Sequence, residues 1–175
     1  MKRCAIVVLV LAAAASCKPE TARKADRAAD ELTEQREDFE RAQRANPLEA
    51  PYAVATEGRE LAAAEAKYEE RKRVRVEALR AEHAIIASQS TLISVMAQNF
   101  PLTDQGRAEI NEQLTRFQMR LDETKNLIEG LAAADAGVWE QRHDAVRDAM
   151  SKLEEARADA WKALEDAPKV DRRAS

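Results

Sequence analysis

Residues 104–134 read DQGRAEINEQLTRFQMRLDETKNLIEGLAAA, and this stretch decides the fold. Its apolar side chains, Ile110, Leu114, Phe117, Leu121, Ile128 and Leu131, stand alternately four and three residues apart, with Thr124 in the one slot that is not apolar. A repeat of 3.5 residues lays one stripe along an α-helix and needs another helix to cover it. Thr103 or Asp104 is placed to cap the start of this helix.

Downstream of Ala134-Asp135-Ala136-Gly137 the stripe resumes one position out of phase, as Trp139, His143, Val146, Met150, Leu153, Ala160 and Leu164. A one-residue slip beside a glycine reads as a kink, a bulge or a short turn, so residues 104–166 are either one kinked helix or two, the latter with Asp135 as cap. Pro168 closes the last helix, and residues 168–175 read as a frayed tail. Upstream, Leu61, Tyr68, Val76, Leu79, Ile86, Ile93 and Phe100 trace one face of a proline-free run from Tyr52 to Asn99. As a helix that run would extend about 70 Å and would need a partner along its length. Phe100-Pro101-Leu102-Thr103 makes the turn. Farther upstream Asn46-Pro47 and Pro51 interrupt the chain. Residues 18–45 carry only a weak alanine-rich stripe around Leu32 and Phe39, which reads as a helix that forms when packed or as a stalk.

These patterns predict an all-α fold, an elongated antiparallel coiled-coil-like bundle of three to four long helices. Residues 17–50 would be a helical stalk and linker, and 51–167 the long hairpin and bundle. Composition agrees: 34% charged and 4% aromatic residues leave thin apolar stripes and no thick core. A net charge of −4 with both signs interleaved gives no reason to expect nucleic acid as a partner.

The first residues follow another logic. Met1-Lys2-Arg3 is positive, Ala5 to Ala15 is almost wholly apolar, and small residues lead to Cys17 before Lys18-Pro19-Glu20 opens a polar chain. This is the layout of a secretory leader, and its apolar core is too short for a membrane span, which takes roughly 20 residues. Cys4 would leave with residues 1–16, so Cys17 would be the mature protein's single cysteine and no intramolecular disulfide could form.

Ala14-Ala15-Ser16-Cys17 resembles the lipobox of bacterial lipoproteins, in which a small residue precedes the cysteine that receives lipid. Ala14 departs from that pattern, where leucine is usual. The resemblance implies diacylglycerol on the Cys17 thiol, cleavage before it, and an acyl chain such as palmitate on the new amino terminus. Several acyl chains, at about 0.8 kcal/mol per buried methylene, hold a protein on a membrane essentially permanently. In enterobacterial lipoproteins an aspartate after the cysteine retains the protein in the inner membrane, so Lys18 implies the outer membrane, facing the periplasm.

Catalytic patterns are hard to find. His83 and His143 belong to no metal-binding spacing, no glycine-framed nucleophile turn is present, and no glycine loop could cradle phosphate. No cofactor, metal or small-molecule substrate is therefore expected. Arg71-Lys72-Arg73-Val74-Arg75 is the densest basic cluster, but Glu65, Glu69, Glu70 and Glu77 stand within helical reach and make it read as a solvated face. Trp139 and Trp161, 22 residues apart, fit one face as packing anchors. Residues 84–103 carry no charge at all. They read either as enclosed core or as an exposed end that docks a protein, with Ile85, Ile86, Ile93, Met96 and Phe100 as candidate contacts.

The expected function is that of a noncatalytic, lipid-anchored envelope protein acting as a helical spacer or protein-binding scaffold, with a protein partner or self-association. A periplasmic adaptor or chaperone-like module using residues 84–103 is the alternative. Hairpins of efflux adaptor proteins look similar at this level, although their flanking β-rich domains have no counterpart here. An enzyme with an unrecognised site is the weakest reading.

Overall fold

A computed structural model describes residues 19–44 and 50–170. Cys17 and the leader, Asn46-Pro47 and residues 171–175 lie outside the described residues. Among the described residues four helices follow in order: α1, Glu20–Arg44; α2, Ala50–Asn99; α3, Asp104–Ala132; and α4, Ala136–Asp166. The protein is an all-α helical bundle.

The spine is α2, whose 50 residues reach about 75 Å. It starts earlier than the prolines suggest, because Pro51 sits in its first turn, where a missing backbone N–H costs nothing. Helix α3 returns antiparallel along the C-terminal half of α2, held by the two-pronged Arg80–Glu129 pair at 3.1 and 2.5 Å and by His83 Nε2 donating to the Leu121 carbonyl at 2.9 Å. Helix α4 reverses again and completes a three-helix section. The slipped seam is a true break: α3 ends at Ala132, and Asp135 caps α4 by accepting from Val138 N at 3.2 Å. Thr103 caps α3 through Gly106 N at 3.1 Å.

The seam residues form the core. Ile110, Phe117, Ile128 and Leu131 of α3 meet Trp139, Val146, Leu153 and Leu164 of α4 in one continuous cluster with Tyr68, Leu79, Ile86 and Ile93 of α2. Thr124, the polar slot, is fully buried, and its hydroxyl donates to the Ala149 carbonyl at 3.4 Å. Trp161 packs partly buried against the same cluster.

Two readings need correction. Helix α1 is a member of the bundle rather than a stalk standing clear of it. Ala22, Ala25, Ala28, Ala29 and Leu32 are buried, and the helix packs on α2 and α4 but not α3. Alanines let the backbones approach closely, so a stripe that looks weak by hydropathy still packs. The tail is also tied down as far as Val170. Thr103 N donates to the Pro168 carbonyl at 3.0 Å and Val170 N to the Pro101 carbonyl at 2.7 Å, with Leu102 and Lys169 bridged antiparallel. Those bonds satisfy backbone groups that the α2–α3 turn would otherwise leave bare.

The two hairpins are offset along α2. No residue from Thr33 to Arg44 is buried, nor is any from Tyr52 to Ala63 on α2. The end of α1 and the start of α2 therefore form a two-helix arm beyond the three-helix section, with Phe39 half-buried in contact range of Gly58.

Candidate functional site

Two places merit scrutiny, one buried and one exposed. The buried one lies where α1, α2 and α4 converge, at the root of the arm. Trp139 and His143 are one turn apart on α4, and their rings stack with centroids 5.8 Å apart and planes 7° from parallel. The Trp139 indole donates to Asp26 Oδ1 of α1 at 2.9 Å, while Tyr68 of α2 meets its edge at 6.0 Å. Arg75 Nε donates to His143 Nε2 at 3.1 Å. An arginine can only donate, so His143 accepts at Nε2 and carries its proton on Nδ1, which faces Asp26 Oδ1 at 3.8 Å.

Burial pulls the Arg75 guanidinium below its ordinary value, against the opposing pull of Glu82 and Asp26. Burial, with the neighbouring carboxylates Glu69 and Asp135, pushes the Tyr68 phenol well above its usual range. Lys72 lies over the Tyr68 ring at 5.0 Å, and both Lys72 Nζ and the Tyr68 hydroxyl donate to the Ala134 carbonyl, at 3.1 and 3.0 Å.

An arginine, a histidine and an aspartate side by side invite a catalytic reading, but packing argues for another role. Trp139 and His143 are 0% and 1% exposed, so no substrate atom can reach the imidazole. What the cluster does is fix register: Trp139 of α4 bonds Asp26 of α1 and Arg75 of α2 bonds His143 of α4, so sliding α1 along α4, or α4 along α2, would strand a buried donor. Among the described residues no group of three His, Cys, Asp or Glu side chains converges as metal ligands would.

The basic cluster of residues 71–75 splits by helical face. Arg73 pairs outward with Glu70 and Glu77 at 2.9 and 3.0 Å, as its neighbours suggest. Lys72 and Arg75 instead turn inward to the junction. Sequence reasoning missed this, together with Asp26 and Tyr68. The available signal was a pair of cations, Lys72 and Arg75, at seam spacing between Tyr68 and Leu79.

The exposed place is the outer face of α2. The five candidate contact residues do not share a surface. Ile86 and Ile93, 3% and 0% exposed, belong to the core, because a helix of this register turns those positions toward α3 and α4. Met96 and Phe100 are half-buried against the same cluster. Only Ile85 is open, at 64%, and the side chains that accompany it are Leu92 and Val95, half exposed. Cys17 lies outside the described residues. Among the described residues no helix is long and apolar enough to cross a membrane.

No protein-family model, no curated protein and no solved structure matches this chain, so its residues and geometry alone carry the functional reading.

Proposed function

We propose that the chain is a noncatalytic envelope protein, tethered by lipid on Cys17, whose helical rod spaces and scaffolds other proteins at a membrane surface. The observation that supports it best is the offset of the two hairpins along α2. That arrangement extends the chain in length and leaves Arg75 and His143 sealed inside the junction. The leader and the Ala14-Ala15-Ser16-Cys17 ending supply the tether. A scaffold needs an open face as well as reach, and the uncharged side of α2 with Ile85, Leu92 and Val95 exposed is suited to that.

Intact mass of the protein extracted from membranes tests the reading. The expected product starts at Cys17 and carries diacylglycerol and a further acyl chain, while Cys17→Ser yields unacylated protein that washes off. A wild-type mass without acyl groups would refute the tether.

A further inference from the structure

The outer face of α2 has a pattern of its own. Val74, Ala78, Ala81, Ile85, Ser88, Leu92, Val95 and Asn99 stand alternately four and three residues apart, none of them charged. This is a second heptad seam, about 100° around the helix from the core seam through Leu79, Ile86 and Ile93. Within this chain the middle of it is uncovered: Ala81, Ile85, Ser88, Leu92, Val95 and Asn99 are all exposed, and Val74 and Ala78 are half-buried. A stripe with a 3.5-residue period stays in contact along its length only with another supercoiling helix.

We infer that this seam pairs with α2 of a second copy of the chain, antiparallel, about a two-fold axis passing between Ile86 and Ala87. In that register every layer sets a large side chain against a smaller or slimmer one. Ile85 meets Ser88 of the second copy, Leu92 meets Ala81, Val95 meets Ala78, and Val74 meets Asn99, each twice by symmetry. The layers thus have nearly even volume, which close packing of two helices requires.

The flanking positions agree. Glu77 faces Gln98 of the second copy and Ala84 faces Thr91; on the other flank Glu82 faces Gln89. No like charges meet. The parallel in-register alternative is worse on both counts. It stacks Leu92 on Leu92 and Ala81 on Ala81, alternating crowded and empty layers, and it sets Glu77 against Glu82 of the second copy on both sides.

This inference deepens the scaffold reading by naming the partner, and it is best tested on the full chain carrying Cys4→Ser and Cys17→Ser. The result then does not depend on lipid, and failure of the tether registers separately in the intact-mass experiment. Sedimentation velocity at micromolar concentration is expected to give twice the chain mass. Ile85→Glu or Leu92→Glu, both at exposed sites, is expected to halve that mass while leaving helical circular dichroism unchanged.

Orientation is read by disulfide formation. Ala81→Cys and Leu92→Cys, oxidised separately, are expected to stay uncrosslinked, because antiparallel pairing holds like positions apart. Mixed, they are expected to crosslink. A monomeric parent, a dimer that survives both glutamate variants, or crosslinking of Ala81→Cys on its own would each overturn the proposal.

Discussion

Tyr68 carries the sharpest residue-scale test. It is 2% exposed, its hydroxyl is bonded to the Ala134 carbonyl, and its phenol is pushed above the ordinary value by burial and by Glu69 and Asp135. A raised folded-state pKa means the folded chain keeps a proton that the unfolded chain gives up. Stability from this group is therefore complete below the ordinary phenol pKa of about 10 and declines as pH rises above it. With Tyr52→Phe removing the other tyrosine, phenolate absorbance should lag behind a free-tyrosine titration and rise only as helix is lost. Phenolate formation near pH 10 with helix intact would contradict the sealed junction. The junction itself was only partly legible in the sequence. His143 could be read as a packed seam residue, because its periodicity is local. Its partners Arg75 and Asp26 could not, because a contact across 68 residues leaves no mark in a single sequence.

At the scale of elements, close approach decides what each glycine does. Gly58 lies inside α2, and a Cβ there would meet Phe39 Cε2 at 3.5 Å, an ordinary contact. Gly58→Ala should therefore stabilise the protein by about 0.5–1 kcal/mol, through helix propensity and the reduced freedom of the unfolded chain. Gly106 lies in the first turn of α3, where a Cβ would stand 3.1 Å from both Cδ and the carbonyl oxygen of Pro168. Gly106→Ala should destabilise despite the same propensity gain, because the tail must shift and the Thr103–Pro168 bond with it. Thermal melts of the two variants should move in opposite directions; parallel shifts would show that the tail tie carries no weight. Helices α3 and α4, their seams and the break at Asp135 were legible because apolar period and capping residues are local signals. The tail tie and the place of Pro51 were not. The first is backbone pairing without a side-chain signature, and the second turns on whether proline falls before a helix or within its first turn.

For the whole molecule, thickness varies along the rod, and stability should vary with it. The section built from α2, α3 and α4 is three helices thick and holds nearly all the large buried side chains, from Tyr68 and Leu79 to Trp139 and Leu164. The arm is two helices thick, and between Thr33 and Arg44 and between Tyr52 and Ala63 it buries no side chain. What it has are surface ion pairs, Arg36 with Glu65 at 3.7 Å and Lys67 with Glu31 nearer the junction. Exposed pairs of that kind contribute only about 0–1 kcal/mol each. Opening the arm exposes little apolar surface and leaves the junction cluster in place, so it should cost far less than unfolding the rest. Native-state hydrogen exchange should therefore find residues 33–44 and 52–63 exchanging through local opening, well ahead of residues 76–97, 110–131 and 139–164. Antiparallel pairing through α2 would point the two arms away from the two-fold axis, at opposite ends of a rod roughly 110 Å long. The same hierarchy should thus hold in the paired protein and in the Leu92→Glu variant. Protection of the arm equal to that of α3 and α4 in both would mean the arm is covered by something other than its own two helices, and the offset-hairpin picture would fail.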